Sequence, residues 1–162
     1  MAYEQLKLEN QLCFPVYAAS RLITREYQPL LDKLEITYPQ YLVMMVLWEK
    51  DGLSVNEITQ RLILNTNTIT PILKRMEAQG IIQRKRSDED ERRVIVTLTP
   101  KGERLQKEAS MIPEKLVERL VSEKVSLAEL KGLKDQLYKI IDLLNTEVLL
   151  KDRKSTRLNS SH

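Results

Sequence analysis

Cys13 is the one cysteine of a 162-residue chain, and its neighbours in sequence bear on whether it fills space or reacts. A lone intracellular cysteine is ordinarily a small buried hydrophobe. Three features of this one point the other way. Pro15 suits the first turn of a helix, where its missing N–H is unpaired in any case, so Cys13 falls at a helix start. A thiol there faces the positive end of the helix dipole, which favours the thiolate, the form that attacks and is oxidised. Tyr17, Tyr27, Tyr38 and Tyr41 follow soon after. A phenol can donate a hydrogen bond to a thiolate while its ring packs, although tyrosines at helical spacing also serve simply as core. Lastly, no second cysteine shares the chemistry, and an internal disulfide is impossible.

Other reactive side chains are scarce. The single histidine is His162, at the very end. It lies in "DRKSTRLNSSH", residues 152–162, where composition shifts abruptly and apolar periodicity stops. This segment looks like a translated sequencing adapter, an artefactual tail, and is set apart from the fold. Removing Arg153, Lys154 and Arg157 against Asp152 leaves +1 of the formal +3 charge. Without an imidazole in the remainder, a metal centre or a His-activated nucleophile is not expected, nor is a cofactor. Apolar residues make up 42% and charged residues 30%, a globular balance. No apolar run approaches the roughly 20 residues that cross a bilayer, and no signal peptide opens the chain, so a cytoplasmic protein is expected.

The second group of chemically able residues lies between Lys74 and Arg93: Lys74, Arg75, Arg84, Lys85, Arg86, Arg92 and Arg93, with Glu77, Asp88, Glu89, Asp90 and Glu91 among them. A mixed charge run alone reads as a solvated surface. The elements that carry it change that reading. Ser54 with Glu57 forms a capping box that opens a short helix with Val55, Ile58, Leu62 and Ile63 on its apolar face. After the polar break Asn65-Thr66-Asn67, a second helix runs to Gly80 with Ile69, Ile72, Leu73 and Met76 facing inward. That leaves Thr66, Asn67, Thr68, Thr70, Lys74 and Arg75 outward. Two β-prone runs, Ile81–Arg86 and Val94–Thr99, then make a hairpin with a polar tip. A helix-turn-helix followed by a charged hairpin is a winged helix. Its basic residues fall on the two parts that reach the major and minor grooves of double-stranded DNA. Arg84, Arg86, Arg92 and Arg93 are the candidate wing contacts, and Asp90 is expected to hold the Arg92 guanidinium in one geometry.

The flanking segments are helical. Apolar spacing predicts a helix from Gln11 to Leu34, marked by Val16, Ala19, Ile23, Tyr27, Leu30 and Leu34. Thr37 caps another that is apolar nearly all round. One helix is expected from Gly102 to about Ser122 with a kink at Pro113. The last runs from Ser126 to about Leu149 with Leu130, Leu133, Leu137, Ile140, Ile141, Leu144 and Val148 on one face. The fold class is therefore mainly α with a small β-wing. Residues 36–102 form the winged helix-turn-helix, and 1–35 with 103–151 form helical dimerisation arms.

"DERRVIVTLTPKG", Asp90 to Gly102, matches D-x-R-x-x-x-V-x-L-T-x-x-G and so resembles the MarR family of winged-helix repressors, a likeness that covers residues 5–150. "LCFPVYAAS", "REYQPLLDKL", "ITYPQYLVMMVLWE" and "NTNTITPILKRMEAQGIIQRKRSDEDERRV" resemble its organic-hydroperoxide-sensing branch. The resemblance implies a homodimeric repressor, not an enzyme, on a pseudo-palindromic operator, with Arg92 entering the minor groove. It implies that Cys13 is the redox sensor and that Tyr27 and Tyr38 support it from the partner subunit, with Tyr17 nearby. The second, resolving cysteine that some members of the branch carry is missing, so an organic hydroperoxide and a small-molecule thiol are the expected effectors: Cys13 is oxidised to a sulfenic acid and then capped, or is over-oxidised under stronger stress. A repressor of the same fold released by a small aromatic ligand between the helices stays open as an alternative. So do a thiol peroxidase and a purely structural DNA binder.

Overall fold

The computed structural model describes residues 3–159, and side chains over residues 3–147. The elements in order are α1 (Cys13–Asp32), α2 (Tyr38–Glu49), β1 (Leu53–Ser54), α3 (Val55–Leu62), α4 (Thr66–Ala78), β2 (Ile82–Arg86), β3 (Val94–Leu98), α5 (Pro100–Ala109), α6 (Ile112–Leu120) and α7 (Leu127–Asn159). Two short 3-10 turns, Glu4–Leu6 and Leu8–Asn10, precede α1. The chain divides into two compact units, residues 1–116 and 117–162.

Local chemistry sets the helix starts in the first unit. Thr37 and Gln40 cap α2 reciprocally: the Gln40 N–H donates to the Thr37 hydroxyl, and the Thr37 N–H donates to Gln40 Oε1. Ser54 and Glu57 do the same for α3, at 3.1 and 2.7 Å. Asn65 caps α4 by accepting from the Thr68 N–H. Each cap satisfies N–H groups that the helix itself leaves orphaned. The core then gathers Leu31, Met44, Leu47, Ile58, Ile69, Leu73, Met76, Ile82 and Val96, all essentially without solvent exposure. Ile69, Leu73 and Met76 are the inward face of α4, as its spacing predicts.

The sheet has the order β1-β3-β2, all antiparallel, with Ile82 opposite Leu98 and Arg86 opposite Val94. The third strand, β1, is too short to carry a sequence signal and exists through its pairing with β3. Gly102 explains the last position of the quoted motif. A β-carbon there would collide with the Ile81 carbonyl oxygen, so only glycine lets α5 pack against the start of β2. The Trp48 indole N–H donates to the Gly102 carbonyl at 3.0 Å and fastens α2 to the same point.

Three expectations need correction. The helix expected from Gly102 to Ser122 is two helices, α5 and α6. Pro113 lacks the N–H that would bond the Ala109 carbonyl and its ring clashes there, so α5 stops at Ala109 and Pro113 takes the first turn of α6. Ile63 does not join the apolar face of α3. It adopts φ 55°, ψ 45° to turn the chain toward α4 and is exposed. Finally, the tail set apart from the fold continues α7 as helix through Asn159, since it contains no proline or glycine to break it. The side chains of Val148 and of the tail, and His162 altogether, lie outside the described residues.

Candidate nucleic-acid interface and thiol site

The outward face of α4 and the wing meet across a groove of about 360 Å³ that brings together Asn56, Thr66, Thr70, Arg84, Arg92 and Arg93. Thr66, Asn67, Thr68, Lys74 and Arg75 are exposed, and Thr70 is half-buried at the groove wall. Asn65 Oδ1 accepts from both the N–H and the hydroxyl of Thr68, which fixes the first turn of α4. Short polar groups at a helix N-terminus suit phosphate and base-edge contact. Asn56, in the first turn of α3, is not distinguished in the sequence by any motif. Its only signal there is its place just after a helix cap.

At the wing, Arg92 stands out into solvent, with 94% of its side chain exposed. Asp90 lies beneath it. Asp90 Oδ1 accepts the Arg92 backbone N–H at 3.1 Å and sits 3.7 Å from Arg92 Nε. The pairing expected from sequence is therefore made through the backbone as well as the charge. Arg86 Nη1 donates to the Glu91 carbonyl at 3.1 Å, and Lys85 lies 3.8 Å from Asp88. The Arg93 guanidinium stands 3.8 Å from Glu57. Hydrogen bonds from the Ser54 N–H and hydroxyl, with Arg93 and Lys50 nearby, hold the Glu57 carboxyl below its ordinary range. Of the tip's acids, Asp90 thus orients Arg92 and Asp88 lies beside Lys85, while Arg86 is held by a backbone carbonyl and Arg93 by a carboxylate of α3.

Cys13 and the tyrosines expected to support it do not come together within the chain. Cys13 is the first residue of α1 and is exposed; among the described residues it makes no side-chain hydrogen bond. Tyr17 lies one turn on, exposed, with Arg21 over its ring at 4.6 Å. Tyr27 is at the other end of the same helix, about 21 Å along the axis at 1.5 Å per residue. Its ring packs on Tyr38 with 5.0 Å between centroids and on Tyr41 at 5.8 Å, and Tyr41 continues to Trp48 at 6.4 Å. Burial, with Tyr38 and Tyr41 adding, pushes the Tyr27 phenol up to about 12. Burial likewise raises Tyr38. Both phenols are therefore firm O–H donors at neutral pH. Apolar residues near Cys13 also stand in solvent: Leu12 just before α1, and Phe14, Val16 and Leu22 within it. In the second unit, Leu133, Ile140, Ile141 and Leu144 are exposed along α7.

A helix-turn-helix with a polar-faced second helix and an arginine-tipped wing defines a winged-helix transcription regulator. Residues 25–109 match the family described as transcriptional regulator SarA/Rot. The organic hydroperoxide resistance transcriptional regulator of Bacillus subtilis (strain 168) is 50% identical over 143 residues, 88% of this chain and 95% of that protein. The structure of reduced AbfR bound to DNA superposes with a TM-score of 0.74 at 34% identity, covering 91% of this chain and 99% of that one. Overoxidised AbfR bound to DNA gives 0.69 at 38%, covering 87% and 97%; AbfR is from Staphylococcus epidermidis. The chain belongs to the MarR-type winged-helix transcriptional regulators, in their organic-hydroperoxide branch and of its one-cysteine kind. These relatives are regulators, not enzymes. No helix among the described residues is long and apolar enough to cross a membrane.

Proposed function

We propose that the chain is a homodimeric repressor that leaves its operator when an organic hydroperoxide oxidises Cys13. The observation that carries this reading is the split thiol site. Cys13 and the Tyr27–Tyr38 pair lie at opposite ends of α1, too far apart for contact within one chain. A second chain related by a two-fold axis and running antiparallel along α1 supplies each cysteine with the other's phenols. The apolar faces of residues 1–35 and 103–151 provide the arms for this pairing, and residues 36–102 bind double-stranded DNA.

Chemically, the Cys13 thiolate attacks the outer peroxide oxygen. An S–O bond forms, the O–O bond breaks, the peroxide leaves as an alcohol, and sulfur loses two electrons to become a sulfenic acid. A small-molecule thiol then condenses with it to give a mixed disulfide and water. Tyr27 and Tyr38 stabilise the starting thiolate by hydrogen bonds, with Tyr17 beside it. The bulky cap displaces these contacts and shifts the dimer from the spacing that fits two half-sites of a pseudo-palindromic operator. There, Thr66, Asn67, Thr68, Thr70, Lys74 and Arg75 face the major groove. Arg86, Arg92 and Arg93 address phosphates and the minor groove, with Asp90 orienting Arg92. The protein acts in the cytoplasm, where a lone thiol stays reduced.

The test is fluorescence anisotropy of a labelled promoter fragment from the gene's own neighbourhood, with protein ending at Lys151. Organic hydroperoxide and a small thiol are titrated against wild type and Cys13→Ser. Release by wild type alone is the expected result. If both stay bound, Cys13 is not the switch. The alternative is then a small aromatic ligand, for which the groove of about 320 Å³ beside Tyr41, Met45 and Trp48 is the place to look.

A further inference from the structure

We infer that Arg84 serves as a positioning residue: with Glu77 it forms a strut that sets the distance between α4 and the wing, and it is not itself a phosphate contact. The inference rests on the DNA-binding reading above and concerns how that surface keeps its shape.

Both oxygens of one carboxylate are committed to one residue. Glu77, in the last turn of α4, accepts the Arg84 backbone N–H on Oε2 at 2.8 Å. Its Oε1 accepts from Arg84 Nη2 at 3.1 Å. β2 is the edge strand of the sheet, so without Glu77 this N–H would have only solvent as partner. A side chain bound to both the backbone and the guanidinium resists sliding of the strand as well as rotation of the arginine. Between the two anchors the chain turns through Gly80 at φ 75°, a joint with no stiffness of its own.

The exposures separate Arg84 from the other basic groups of the wing. Its side chain is 22% exposed, against 80% for Lys85 and 94% for Arg92. Its Nε is buried with no hydrogen-bond partner. A group meant to neutralise phosphate has no reason to be buried and already paired with a carboxylate. A group meant to hold two elements at a fixed separation has both reasons. Arg84 lies in the wall of the groove between Thr66 and Thr70 on one side and Arg92 and Arg93 on the other. A change in the strut therefore alters how far apart the two DNA-facing surfaces stand.

The experiment compares wild type, Glu77→Gln and Arg84→Lys by anisotropy on two labelled duplexes across a salt series. One duplex is the promoter fragment immediately upstream of this gene, and the other is a scrambled duplex of equal length and composition. Thermal unfolding of each variant verifies that it is folded. With a strut, both variants bind the promoter duplex about tenfold more weakly, since a charge-assisted contact is lost in each. Binding to the scrambled duplex and the slope of log affinity against log salt stay at wild-type values. Arg84→Lys keeps the charge but replaces the planar guanidinium, whose Nη2 reaches Glu77 Oε1, with a shorter-reaching ammonium, so a phosphate contact would largely survive it whereas a strut would not. The inference is overturned if Glu77→Gln binds more tightly or with a steeper salt slope, as a released arginine would, or if Arg84→Lys behaves as wild type. A wild type that shows no preference between the duplexes overturns the operator reading itself, which is a separate result.

Discussion

The DNA-facing groove and the Cys13 end of α1 are built by opposite strategies. Several groups of the groove and its rim are held by partners within their own chain. Asn65 holds Thr68, Asp90 holds Arg92, Glu77 holds Arg84, and a fully buried layer of Ile69, Leu73 and Met76 lies under α4. At Cys13 nothing of that kind exists. The thiol is exposed, its apolar neighbours Leu12 and Phe14 are exposed, and the phenols proposed to support it pack against one another at the far end of the helix. A rigid reader joined to an incomplete sensor is what a switch requires. On the proposed reading the sensor is completed only by association, so a chemical event there acts on the geometry of the pair and leaves each reader intact.

The largest effect that would sharpen this contrast comes from Gly102→Ala. The added methyl group meets the Ile81 carbonyl, and the fold of the reading unit should lose about 3 kcal/mol, at the upper end for overpacking. Thermal unfolding measures it, and a variant as stable as wild type would mean that the junction is looser than its geometry indicates. Next is Arg92→Ala. It should weaken promoter binding by about 1–2 kcal/mol and lower the salt slope by about one, while the rate of Cys13 oxidation stays unchanged. An altered oxidation rate would show that reader and sensor are not independent.

Tyr27→Phe should do the reverse. Losing one hydrogen bond to the thiolate slows oxidation by about 1 kcal/mol, or several-fold, and leaves the DNA affinity of the reduced protein as it was. The smallest effect is on pH. Because the folded Tyr27 phenol lies near 12 and above its ordinary value of 10, its contribution to stability is full below pH 10 and fades as pH rises toward 12. The difference in phenolate absorbance between wild type and Tyr27→Phe during an alkaline titration isolates this one of six tyrosines. A Tyr27 that ionises near 10 would mean that its ring is not packed as described.

The same contrast governs how much the sequence discloses. The caps at Ser54 and Thr37, the inward stripe of α4 and the alternation of Val94, Val96 and Leu98 are local patterns, and each marks its element in the structure. Asp90 and Arg92 are two residues apart, so their pairing is also local. What escapes is non-local. β1 is two residues long and exists only by pairing with β3. The Glu77–Arg84 tie crosses a turn, so Arg84 reads from sequence as one more exposed cation. Pro113 is plain in the sequence, yet whether a proline kinks a helix or ends it depends on how the chain packs around the break. The helix runs on through the tail because a change of composition without proline or glycine does not end a helix. For the thiol site the sequence shows the residue types but not which chain supplies them.

That last point can be tested directly by mixing. Cys13→Ser and the double variant Tyr27→Phe/Tyr38→Phe each lack half of every thiol site as a homodimer. Exchanged into mixed dimers, the cysteine of the double variant meets the intact tyrosines of the Cys13→Ser chain. Sulfenic acid formation under organic hydroperoxide is then followed in each homodimer and in an equal mixture. A site shared between chains predicts that about half of the thiols in the mixture, those in mixed dimers formed by random pairing, react at the wild-type rate. If the mixture reacts only at the slow rate of the double variant, the phenols and the thiol do not meet across the dimer, and the proposed sensor is wrong.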